Sequence, residues 1–207
     1  MKIKTILNAE CEKYYHIYYD KKGNLILDKT KLASDATNDF DALLFKGKLQ
    51  IVYKDRLNSI YYVTENGKRM ILKSKNVGKI RIQNVRLWIY RTHLLLFYVM
   101  FYNHKNMLCC QNLSKLSEPP QVIDLCKNAE FYIQSCSDEK FYILYTAQEN
   151  TQLTIRKFNG SWTAPSPICK GEFLHFNAMT ASDEGLMLEL DAEQLPQDLL
   201  LNVHNNL

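Results

Sequence analysis

The sequence predicts an all-β chain built from repeated four-stranded antiparallel units, and three observations predict it. Aromatic residues are abundant, thirteen Tyr and nine Phe against seven Gly and five Pro, and such rings pack well on a pleated, half-buried surface. Four short apolar runs recur with centres near 51, 97, 143 and 188, in steps of 46, 46 and 45 residues. No segment sustains a 3.6-residue apolar period over three turns, so little helix is expected.

The four runs are 49–53, 94–101, 141–145 and 186–190. Each follows a polar turn: Lys46-Gly47-Lys48, Arg91-Thr92-His93, Asp138-Glu139-Lys140 and Asp183-Glu184-Gly185. A strand precedes each run, at 40–45, 85–90, 131–136 and 173–179. A more polar strand follows three of them, at 59–64, 107–111 and 152–158, and then a short last strand at 69–73, 121–125 and 162–168. Four short strands at even spacing with turns between them are the pattern of one β-propeller blade.

The apolar gradient agrees with that pattern. A second strand covered on both faces reads as a continuous apolar run, as 94–101 does. A last strand lies at an edge, where Lys and Pro discourage pairing with other chains. Arg69, Lys73, Pro119, Pro120, Pro165 and Pro167 fall in or beside such strands.

The expected organisation is a single β-propeller-like domain over 1–207. It comprises a half blade at 14–30, blades at 39–74, 80–125 and 129–169, a half blade at 172–192 and a tail at 193–207. The N-terminal half is read as third and fourth strands, because His16-Ile17-Tyr18-Tyr19 resembles Ser59-Ile60-Tyr61-Tyr62. Two halves and three full blades make about four, either a closed ring or an open arc.

Residues 153–165, with the turn Asn159-Gly160-Ser161-Trp162, resemble a repeat of sialidase-like or fucose-lectin-like propellers. That resemblance implies a blade architecture and offers Trp162 as a surface for stacking on sugars. The sialidase Asp-box is not matched, since Ser182-Asp183-Glu184-Gly185 precedes a second strand. No catalytic residue is carried over.

Catalytic signals are sparse. The five histidines form no HExxH and no close ligand pair, and neither a phosphate-binding Gly loop nor a Gly-x-Ser-x-Gly elbow occurs. No cofactor and no metal are expected. The six cysteines are scattered without a CxxC pair, and Cys109 and Cys110 point to opposite faces of one strand. No leader-like apolar segment opens the chain, and the thiols read as the reduced thiols of a cytoplasmic protein.

Charge is the stronger signal. Between Asn66 and Ser117 there is no Asp or Glu, while Lys68, Arg69, Lys73, Lys75, Lys79, Arg81, Arg86 and Arg91 all occur there. After Lys170 there is no Lys or Arg, while Glu172, Asp183, Glu184 and Glu189 are among seven acidic residues. These basic and acidic ends are the candidate binding surfaces.

The expectation is a non-enzymatic protein-interaction or scaffold module, self-associating as a dimer through the complementary blades. A carbohydrate-binding lectin is the alternative, and a glycoside hydrolase-like propeller with two facing carboxylates comes third. Nucleic acid is disfavoured, because the basic residues spread over several strands without a recognised binding motif. No run is long enough to cross a membrane as a helix.

Overall fold

The computed structural model describes residues 2–73, 80–137, 139–148 and 152–170, and the backbone of 175–182, 185–191 and 198–201. The side chains at 136, 169 and 170 lie outside this description. Regular structure consists of antiparallel strands, with no helix among the described residues. The chain divides into two compact units, Met1–Val122 and Ile123–Leu207, where the sequence suggests one continuous domain.

In the first unit, β1 (Ile3–Asn8), β2 (Lys13–Tyr19), β3 (Leu25–Leu27) and β4 (Thr30–Ala33) pair in chain order. A second sheet pairs β5 (Ala36–Phe45), β6 (Lys48–Asp55), β7 (Ile60–Thr64) and β8 (Gly67–Leu72) in the same way. β9 (Arg81–Tyr90), β10 (His93–Tyr102) and β11 (Lys105–Asn112) follow. The first strands are neighbours across sheets, β5 lying against β1 and also against β9.

The unit boundary falls inside β12 (Gln121–Ser137), a single long strand where two short ones, 121–125 and 131–136, are expected. Beyond the boundary β12 pairs with β13 (Lys140–Ala147), which continues to β14 (Gln152–Phe158) and β15 (Ser166–Lys170). A last sheet pairs β16 (His175–Ser182), β17 (Gly185–Asp191) and β18 (Asp198–Leu201). The tail expected at 193–207 therefore contains a strand, and the rest of it lies outside the described residues.

The N-terminal segment corrects the expected half blade at 14–30. It belongs to a complete four-stranded sheet in which residues 13–19 are the second strand, not the third. The turns on either side of the comparison show why. Asp20 accepts backbone N–H bonds from Lys22 and Asn24, both at 2.8 Å, and Gly23 adopts φ 85°. Asp55 accepts from Leu57 at 2.9 Å and Ser59 at 2.7 Å, with Asn58 at φ 62°. Both turns join a second strand to a third, so Tyr19-Asp20 corresponds to Lys54-Asp55. A carboxylate satisfying amides two and four residues ahead is the local device that closes each turn.

Packing explains the apolar gradient. Residues 94–99 of β10 are all buried, and Leu94, Leu96 and Tyr98 among them pack with Val52 and Ile60 of the second sheet. On β6, Ile51 and Tyr53 face the first sheet, joining Ile17, Leu25 and Phe40. Val52, between them, faces the other way and joins Ile82, Leu96 and Tyr98. This is the two-residue alternation of a strand put to use on both sides. Burying such a side chain contributes about 1.5–3 kcal/mol.

Four of the first strands, but not β1, share an irregularity. Register shifts interrupt β5 between Ala36 and Phe40, β9 opposite Phe97 to Val99, β12 between Cys126 and Phe131, and β16 between Phe176 and Ala178. In β9 the extra residues include Asn84, at φ 56°. Such bulges bend a strand and re-aim its groups.

Candidate functional site

The predicted basic residues are divided between two strands. Lys68, Arg69 and Lys73 lie along β8 or just beyond it, the outer edge of the second sheet. The Lys68 ammonium sits 4.2 Å from the ring centre of Tyr61 and 4.9 Å from that of Tyr53, a cation–π contact within the sheet. Arg81, Arg86 and Arg91 lie on or next to β9. Arg81 is 5.9 Å from the Phe101 ring centre and Arg91 is 5.4 Å from that of Tyr90. Lys75, Lys79, Glu172, Asp183 and Glu184 lie outside the described residues, as does the side chain of Glu189 on β17.

A polar cluster between first strands was not foreseen from the sequence. Asp39 and Asp41 project from β5 and accept backbone N–H bonds from β9: Val85 to Asp39 at 2.9 Å and Leu87 to Asp41 at 2.8 Å. Both pairs are 46 residues apart, one step of the repeat. Asp41 also holds the Lys4 ammonium from β1. The Lys54 ammonium lies 4.0 Å from Asp39 and donates to the Ile82 carbonyl at 2.7 Å. Lys2 donates to the Phe40 carbonyl and lies 4.7 Å from the Phe40 ring centre. Burial pushes the Lys2 ammonium pKa down, and the nearby Arg86 charge pushes it further down.

Among the described residues none covers the outward face of the first sheet. Ile3, Thr5 and Leu7 on β1 stand opposite Tyr18, His16 and Tyr14 on β2. Ile3 is 55% exposed, Leu7 48% and Tyr14 57%. The opposite face, carrying Ile6, Tyr15, Ile17 and Tyr19, packs on the second sheet. One side of this sheet is core and the other presents apolar side chains to solvent.

The second unit holds a cleft of about 220 Å³ lined by Asp124, Leu125, Ala147, Gln148, Gln152, Thr154, Pro165 and Pro167. The Asp124 carboxylate accepts from the buried Tyr145 hydroxyl and lies 3.9 Å from Arg156. Arg156 also donates to the Thr163 carbonyl at 2.8 Å. Burial and the Asp124 charge raise the Tyr145 pKa, so the phenol stays a neutral donor. Trp162 is half-buried, its ring centre 4.8 Å from that of Phe158 and 5.6 Å from that of Phe141. Its indole is part of an aromatic cluster, outside the lining of the cleft.

Cys11, Cys109, Cys110 and Cys126 are free thiols. Burial pushes Cys109 and Cys110 up to about 12, which leaves them protonated and poorly nucleophilic at neutral pH. Among the described residues no three His, Cys, Asp or Glu side chains converge to hold a metal ion, and no helix is long and apolar enough to cross a membrane.

No protein-family model and no curated protein matches the chain. Among solved structures it is similar to a chain from a study entitled "Structural and Mechanistic Analysis of Two Prolyl Endopeptidases: Role of Inter-Domain Dynamics in Catalysis and Specificity". That match has 12% identity, a TM-score of 0.50, and covers 94% of this chain. This chain spans 31% of the other's length. Prolyl endopeptidase has a β-propeller domain, and at this identity the likeness bears on fold alone: all-β and propeller-like.

Proposed function

We propose that this chain is a non-catalytic β-propeller module that binds protein, and that its partner is a second copy of itself. In this reading successive blades begin at β1, β5, β9, late in β12 and at β16, so the blade count is five. The observation that carries the proposal is the uncovered β1–β2 face, with Ile3, Leu7 and Tyr14 about half exposed. Apolar side chains grouped on one face mark an interaction surface.

Charge favours a second copy as the occupant. Of the seven Lys in residues 1–33, Lys2 and Lys4 are engaged with Phe40 and Asp41 of β5, and Lys13, Lys21, Lys22, Lys29 and Lys31 are exposed, whereas the sequence after Lys170 carries acidic residues and no Lys or Arg. These exposed cations and the acidic end of another molecule are of opposite charge, and such fields steer encounter and fix register.

Light scattering at low and high salt tests this. The expected result is a particle of twice 24.2 kDa at low salt that dissociates as salt rises, and a monomer for Leu7→Glu. A monomer of the wild-type chain under every condition overturns the proposal.

The lectin reading draws on the second-unit cleft, where a carboxylate and two carboxamides offer hydrogen bonds to hydroxyl groups. Selective, competable binding on a glycan array would place it first. The cleft lining carries one carboxylate among the described residues, so two-carboxylate glycosidase chemistry gains no support from it.

A further inference from the structure

We infer that the open edge of β8 is a docking site for an acidic, extended peptide segment of another protein, taken up as a further strand of the second sheet. The inference does not depend on the self-association proposed above. It rests on which backbone edge is free and on the charge set along it.

β8 pairs with β7 on one side, and no described strand pairs with its other side. About half of its backbone N–H and C=O groups therefore point away from the sheet, a template for strand addition. The other outer edges suit a new strand less well. β4 and β18 have four residues each, and β15 contains Pro167, which has no N–H to offer. β8 has six residues and no proline, and its register with β7 is unbroken from Gly67 to Met70. Gly67, Lys68, Arg69 and Met70 are exposed, and a side-chain carbon at Gly67 would meet nothing within 4 Å.

Basic residues on an edge deter strands of like charge and favour an acidic one. The Lys68 ammonium is held over the Tyr61 and Tyr53 rings on one face of the sheet. Arg69, the next residue, points to the opposite face. Arg69 and Lys73 have no ion pair among the described residues. Glu65, ahead of the strand, is engaged with Lys48, and no Asp or Glu follows between Asn66 and Ser117. A strand with adjacent acidic residues sets one carboxylate on each face, beside Lys68 and Arg69. An apolar residue next to them lies beside Met70, which is 42% exposed.

The test is fluorescence polarisation of the full chain with a labelled peptide of about eight residues, an adjacent pair of Glu set among Val and Thr. The comparisons are the same peptide with Lys for Glu, the same peptide with Pro at alternate positions, and a single-stranded oligothymidylate. Saturable binding of the Glu peptide is expected, with slower hydrogen exchange at β8 amides in the complex. Arg69→Glu should weaken binding about tenfold, while Lys105→Glu, an exposed charge on β11, should leave it unchanged. Should Arg69→Glu fail to fold, Lys73→Glu reads the same charge. Equal binding of the Lys or Pro peptide, or tighter binding of the oligothymidylate, overturns the inference. So do an absence of saturable binding, protection confined to strands other than β8, and an affinity that neither Arg69→Glu nor Lys73→Glu changes.

Discussion

Replacing Asp41 with Ala removes the acceptor that joins β5 to the edge of β9. The Leu87 amide donates to that carboxylate at 2.8 Å, and both residues are buried, Asp41 at 6% exposure and Leu87 at 3%. Stranding a buried N–H costs about 1–3 kcal/mol. Loss of the Lys4 ion pair, in which the Lys4 side chain is 37% exposed, adds about 0.5 kcal/mol. The expected destabilisation is therefore about 1.5–3.5 kcal/mol, a large part of the 5–15 kcal/mol typical of a domain. Asp41→Asn keeps an acceptor for Leu87 but loses the charge, and should cost about 1 kcal/mol. Urea unfolding measures the energy, and hydrogen exchange at the Leu87 amide reports where it arises. Asp39→Ala should behave alike at Val85, since it makes the equivalent bond. An Asp41→Ala protein within about 0.5 kcal/mol of wild type, with Leu87 still protected, would refute the reasoning.

Further outcomes follow from the turns and the thiols. Asp55→Ala should cost about 1–3 kcal/mol, because its carboxylate serves two amides in a residue only 3% exposed. Asp20→Ala, in the equivalent solvent-exposed turn, should cost less. The Asn24 side chain and backbone amides hold the Asp20 carboxyl below the usual carboxylate range. Its contribution should therefore be present at neutral pH and fade as pH falls through that lowered value, which urea midpoints at pH 7 and pH 3 would show. Burial pushes Cys109 up to about 12 from an ordinary value of 9.0. Above about pH 9 only the unfolded thiol ionises, so stability should fall by about 1.4 kcal/mol per pH unit until the folded thiol titrates. Unfolding of Cys109→Ala should have an alkaline slope shallower than wild type by that amount, with the share of buried Cys110 and the buried tyrosines remaining. In the native state a thiol reagent should modify exposed Cys11 and spare Cys109, and equal rates at the two would contradict the burial.

Much of the strand pattern was legible because burial leaves a local trace. The run at 94–101 has so many consecutive apolar residues that only a strand covered on both faces accommodates it, and residues 94–99 are buried. The turn Lys46-Gly47 takes positive φ at both positions, as a tight hairpin requires. The N-terminal sheet was harder to read. Its third and fourth strands have three and four residues, too few for alternation to register. The Tyr-rich β2 looks locally like β7, since apolar–aromatic alternation describes any half-buried strand and does not say which neighbour it has. The bonds of Asp20 and Asp55 to amides ahead of them gave the better alignment, and in sequence they are an unremarked Asp.

Charge was legible as composition but not as arrangement. Lys68 and Arg81 belong to one acid-free stretch, yet both sit against aromatic rings in separate strands. The cluster of Lys4, Asp39, Asp41, Val85 and Leu87 draws on three strands, and its contacts join residues 37 or 46 apart in sequence. Trp162 stood out in the sequence for its side chain, and the rings of Phe141 and Phe158 decide what it touches.

By itself the sequence determined the all-β class, the repeat of about 46 residues, the heavily buried β6, β10 and β13, and the segregation of charge. Each of these is written in local apolar periodicity or in composition. Tertiary structure alone decided that residues 3–33 make a whole sheet, that one of its faces exposes Ile3, Leu7 and Tyr14, and that Asp39 and Asp41 bridge to the amides of Val85 and Leu87. The physical reason is that alternation tells which side chains share a face. Which sheet that face meets, and whether a charge finds a partner there, depends on groups brought together from a whole repeat away.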